Sequence, residues 1–128
     1  LMDAVYAGQA AKIPRMLRML QAEGNDVLAV FSAVSWSLHR MIDMADQIEN
    51  GAQAAQVFAS QKPPIWDKAR PLIQSGLRRH TSAKWRAFLT QMAAIDRAAK
   101  GGGNDNAWRM LTTLCLQVAG VSMQLQQT

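Results

Sequence analysis

The feature that most constrains this chain is a run of apolar side chains at Val27, Phe31, Val34, Leu38, Met41, Ala45 and Ile48. The steps alternate four and three through three heptads. They define one apolar face on one long helix, and other elements must cover it. Asn25 or Asp26 can cap its start, and Gly51 stops it. Strand-like alternation is absent and the β-branched residues are scattered, so the expected fold class is all-α.

The rest of the chain supplies the covering helices. Residues 1–7 read as the end of a helix, with Met2, Val5 and Tyr6 on one face and Gly8 suited to the C′ position. A second helix is expected over residues 9–22, with Ile13, Met16, Leu17 and Leu20 inward and Lys12, Arg15 and Arg18 opposite. Pro14 falls in its first turn or two, where a missing N–H does least harm. A short helix follows near residues 52–59. Beyond Lys62-Pro63-Pro64, a helix is expected over residues 65–79, opened by Pro64 and kinked or split by Pro71. Thr81 or Ser82 caps the next, whose stripe is Trp85, Phe88, Leu89, Met92, Ile95 and Ala99. The Gly101–Gly103 tract breaks it. Asn104 or Asp105 caps the last, with Trp108, Leu111, Leu114, Cys115, Val118, Val121 and Leu125 inward. Short connections favour antiparallel neighbours. The expectation is a single compact bundle of about five to six helices, one domain over residues 1–128. With 49% hydrophobic and 18% charged residues, a chain of 128 is long enough to bury a core.

The chemistry-bearing residues form no constellation. A single cysteine, Cys115, cannot form an internal disulfide and fits a reducing compartment. Its apolar helical position implies an inert buried thiol. Cys115, His39 and His80 lack the short-spaced pairs of a zinc site. Asp43, Asp46 and Glu49 can share an exposed helix edge, where a hard cation is conceivable and a solvated face is the commoner outcome. The glycine triplet has no strand before it and no Gly-Lys-Ser/Thr after it, so it reads as an interhelix loop rather than a phosphate cradle. His39, beside Leu38 at the edge of a stripe, reads as a boundary residue. No catalytic residue, cofactor or metal is assigned. No apolar run approaches the roughly 20 residues that span a bilayer, and no secretory leader is visible. The chain opens Leu1-Met2-Asp3, partway into a helix, as expected for a piece of a longer protein.

Two features point to partners. The net charge of +5 is concentrated: residues 62–100 carry nine Lys and Arg against two acidic side chains. Lys68, Arg78, Arg79, Lys84 and Arg86 are the candidate basic surface. Such a surface can be merely solvated, can hold an acidic protein, or can bind nucleic acid phosphates. Trp85 and Trp108 lie on inward stripes, whereas Trp36 is off its stripe and Trp66 follows two prolines. Either can be packed under a loop or exposed, and exposed Trp is favoured at protein interfaces. Trp36 and Trp66, with Arg40 and Arg70, are the candidate partner interface.

The ordered segments resemble the C-terminal domain of the delta subunit of the bacterial DNA polymerase III clamp loader. Leu1-Met2-Asp3-Ala4-Val5-Tyr6-Ala7-Gly8 comes first, then a basic amphipathic helix ending Leu20-Gln21-Ala22-Glu23-Gly24. Trp36-Ser37-Leu38-His39-Arg40 sits in the long helix, followed by Ile65-Trp66 with Arg70, and by Leu77-Arg78-Arg79. Ile95-Asp96-Arg97-Ala98-Ala99-Lys100-Gly101 and Asn106-Ala107-Trp108, with Leu111 and Leu114, close the series. The resemblance covers nearly the whole chain and rests on the ordered set, since no single motif is specific. It implies a collar-like, non-catalytic oligomerisation domain in the cytoplasm. Its partners would be the delta-prime and gamma or tau subunits, with DNA reached only through the complex and no membrane contact. In isolation the piece is expected to be a monomer or to self-associate weakly. The alternatives are a basic nucleic-acid-binding domain and a helical cap whose chemistry lies elsewhere in a parent chain.

Overall fold

Asp26 starts the central helix by accepting a hydrogen bond from the Leu28 amide at 3.3 Å, and the helix then runs Val27–Glu49. In the computed structural model, which describes residues 1–122, the α-helices are α1 (Met2–Tyr6), α2 (Ile13–Ala22), α3 (Val27–Glu49), α4 (Ala54–Ser60), α5 (Arg70–Arg79), α6 (Ser82–Lys100) and α7 (Asn104–Val118). No strand occurs among the described residues, so the chain is all-α.

α6 is the middle layer, packing most extensively against α3 and α7. α2 lies on α7, α4 lies on α3, and α1 pairs with α5 while also touching α7. One hydrophobic cluster runs through all of them, with Trp85, Phe88, Phe58, Leu38, Met41, Leu111 and Leu114 at its centre. The expected stripe of α3 faces inward from Val27 to Ala45, with Ile48 half-buried at its end. Gly8 follows α1 with φ +74°, the left-handed conformation expected at C′.

Several expectations are corrected. The segment 9–22 is not one helix: a 3-10 turn, Ala10–Lys12, leads into α2, and Pro14 sits in the first turn of the α-helix proper. The segment 65–79 is not a kinked helix either. Residues 62–66 form no regular element, residues 67–69 form a turn, and α5 begins only at Arg70, with Pro71 in its first turn. A proline there forfeits no intrahelical hydrogen bond, whereas inside a helix it would. Neither Asn104 nor Asp105 caps α7. Gly103 holds the cap position without a side-chain bond, and Asp105 lies in the first turn, near the positive end of the helix dipole. Leu89 is 38% exposed, because the buried stripe of α6 runs Trp85, Phe88, Met92, Ile95 and Leu89 falls on its rim. Val121 is half-buried, and Leu125 lies outside the described residues.

Candidate functional site

Trp36 lies two residues from each of the buried positions Val34 and Leu38. Each step along a helix turns about 100°, so its side chain points away from the core, and it is 56% exposed. Arg40, one turn further along α3, places its guanidinium 4.8 Å from the centre of the Trp36 ring. The same side chain donates from Nη2 to the Pro63 carbonyl at 3.1 Å. It therefore joins the outer face of α3 to the segment carrying Trp66, which is 69% exposed.

Arg70 braces that segment from its other end. Its Nε donates to the Ile65 carbonyl at 3.0 Å, and its guanidinium lies 3.4 Å from the Asp67 carboxylate and 5.8 Å from the centre of the Phe58 ring. The Ile65 amide in turn donates to the Phe58 carbonyl at 2.9 Å. Trp36, Arg40 and the segment holding Trp66 and Arg70 are thus linked by direct contacts. The roles of Pro63 and Phe58, a carbonyl acceptor and a platform for a cation, have no signature in the sequence.

The basic surface is divided. Lys68, Arg78 and Lys84 are exposed, with the Lys84 ammonium 5.4 Å from the Phe88 ring centre. Arg79 is occupied within the fold. Nη1 donates to the Tyr6 carbonyl at 3.0 Å and Nη2 to Ser75 Oγ at 3.3 Å. Its stem lies against Gly120, where φ is +104° and a Cβ would come 2.9 Å from Arg79 Cδ. Arg86 is paired with Asp46 across α6 and α3.

The acidic residues of α3 are likewise dispersed among neighbours. Asp43 accepts from Gln47 Nε2 at 2.9 Å, Asp46 takes Arg86, and Glu49 accepts from Ser82 Oγ. No three His, Cys, Asp or Glu side chains among the described residues are grouped to hold a metal ion. No described helix is long and apolar enough to cross a membrane. His39 is exposed, its Nδ1 2.9 Å from the Ser35 carbonyl of the preceding turn.

Cys115 is buried, and desolvation pushes its thiol up to about 12. Since the thiolate is the reactive species, labelling of the native protein by an aromatic disulfide reagent at pH 8 is expected to be on the order of a thousandfold slower than in denaturant. A native rate near the denatured one would contradict this burial.

His80 contributes no fixed charge to the basic surface. Burial lowers its pKa below the ordinary value, opposed in part by the hydrogen bond to the Val118 carbonyl at 2.8 Å and reinforced by the neighbouring Arg79 and Lys84. The folded protein thus disfavours protonation relative to the unfolded chain. This contribution to stability is complete above the unfolded value of about 6.5 and declines as pH falls from there toward the folded value. Urea midpoints are expected to drop between pH 7.5 and pH 5.5, and His80→Gln should flatten that drop. An equal drop in both proteins would assign it to other groups.

Comparison with known proteins brings in one relative. The chain is 24% identical over 122 residues to DNA polymerase III subunit delta of Haemophilus influenzae. The match covers 91% of this chain and 36% of that protein, so the chain spans about a third of the length of the curated relative it matches. No family model matches the sequence.

Proposed function

We propose that this chain is a C-terminal collar domain of a clamp-loader delta subunit, a non-catalytic module that joins delta to the other clamp-loader subunits for loading of the sliding clamp during replication. The observation that carries the reading is similarity to a DNA polymerase III delta subunit over nearly the whole chain. The fold agrees with it: an all-α bundle with two exposed tryptophans, in which Arg79 and Arg86 are spent on contacts within the fold.

The partners under this reading are the delta-prime and gamma or tau subunits. Binding of nucleic acid by the basic middle third is the weaker alternative, because Arg79 and Arg86 are already bonded to Tyr6, Ser75 and Asp46. The test is association of the full chain carrying these residues with delta-prime and gamma or tau, followed by size-exclusion chromatography at micromolar concentrations. A stoichiometric complex is expected. Separate elution of all components would refute the collar role, and steeply salt-dependent DNA binding in its place would favour the alternative.

A further inference from the structure

We infer that the junction of Trp36, Arg40, Pro63 and Trp66 is a docking face for a protein partner that offers apolar pockets flanked by carboxylates. This deepens the collar reading and rests on it. Trp36 and Trp66 are the two most exposed large hydrophobic side chains among the described residues, at 56% and 69%. They are separated by 30 positions in sequence, yet one side chain, Arg40, stacks on the first and bonds the segment that holds the second. Exposed tryptophan gains most from burial at an interface, where such residues carry a disproportionate share of binding energy.

Arg40 makes this surface ready for a partner. Its stack restricts the Trp36 indole, and its bond to the Pro63 carbonyl restrains the 62–69 segment, so less disorder remains to be lost on binding. Arg40 is on this account a positioning residue that also presents charge.

The charge on this face selects the occupant. Arg40, Lys62, Lys68 and Arg70 stand against Asp43 and Asp67. Asp43 is engaged by Gln47 and Asp67 lies beside Arg70, leaving Lys62 and Lys68 exposed and an excess of positive charge. Acidic side chains around the apolar pockets would answer it and steer the encounter.

The test uses the full chain and its clamp-loader partners. Trp36→Ala and Trp66→Ala should each weaken assembly about tenfold or more, with thermal unfolding unchanged because both side chains are exposed. Arg40→Met keeps an apolar stem over Trp36 and loses the charge and the Pro63 bond. It should weaken assembly and make it less salt-dependent, a readout that a purely structural role would not move. If the wild-type chain assembles and both Trp variants bind within about twofold of it, the docking face is refuted and the collar reading stands. If the wild-type chain does not assemble, both fall. If the Trp variants assemble normally but lose binding to single-stranded DNA, the face belongs to stacked bases instead.

Discussion

Trp85→Ala is expected to cost about 3–5 kcal/mol of stability, the range for deleting a buried large aromatic side chain, and to lower Tm by roughly 10–20 °C. Trp85 has no exposed surface and sits in the first turn of the helix that is packed on both sides. Its ring meets His80 at 5.2 Å and Phe88 at 5.7 Å, both edge to face, and these contacts vanish with it. Its Nε1 has no hydrogen-bond partner among the described residues. Trp85→Phe therefore retains much of the aromatic packing while removing an unpaired buried donor, and should cost less than half as much. Urea denaturation with an unchanged m-value would measure both. An alanine variant within about 1 kcal/mol of the wild type would contradict the central place of this residue in the core.

The second large effect is expected at Gly76, the one buried glycine inside a helix among the described residues. A Cβ there would lie 2.9 Å from Met41 Cε and 3.3 Å from Tyr6 Cδ1, so this glycine lets α5 come close to both α1 and α3. Alanine is expected to be nearly neutral. The Met41 methyl is the end of a flexible chain and can shift, and alanine gains about 0.8–1.0 kcal/mol of helix propensity over glycine. Leucine cannot be accommodated that way and should cost about 1–3 kcal/mol by overpacking. The contrast between the two variants is the diagnostic. Equal stability of Gly76→Ala and Gly76→Leu would mean that the space is larger than these contacts imply.

What could be read from the sequence follows from the kind of signal each feature leaves. The stripe of α3 is legible because seven apolar residues obey one period, and the cap of α6 because Thr81 precedes a clean stripe; its hydroxyl accepts from the Lys84 amide at 3.1 Å. Trp36 was marked by its offset from the α3 stripe and Trp66 by its place after two prolines, but neither signal separates an exposed ring from one packed under a loop; the structure shows both exposed. The start of α5 was not legible, since Pro71 is compatible with both a kink and a first turn, and the contacts of Arg40 with Pro63 and of Arg70 with Ile65 that accompany the non-helical segment leave no trace in the sequence. The fate of the basic residues was equally hidden. Arg78 and Arg79 are neighbours of the same type, yet one is exposed and the other is held by the distant Tyr6 carbonyl and by Ser75 one turn back in the same helix. Charge pattern alone does not distinguish a free cation from one spent on a carbonyl.

The middle position of α6 has a consequence in time. Its contact with α7 closes across a short glycine-rich turn, whereas its contact with α3 closes only after α4, α5 and their connections are gathered in between. Closing the longer loop costs more chain entropy, so the α6–α7 hairpin can form early and present a half-covered apolar surface on which α3 then lands. The arrival of α3 then completes the core, and substitutions along the α6–α7 seam would slow refolding at least as much as those in the α3 stripe, because contacts made before the slow step are already present in its transition state.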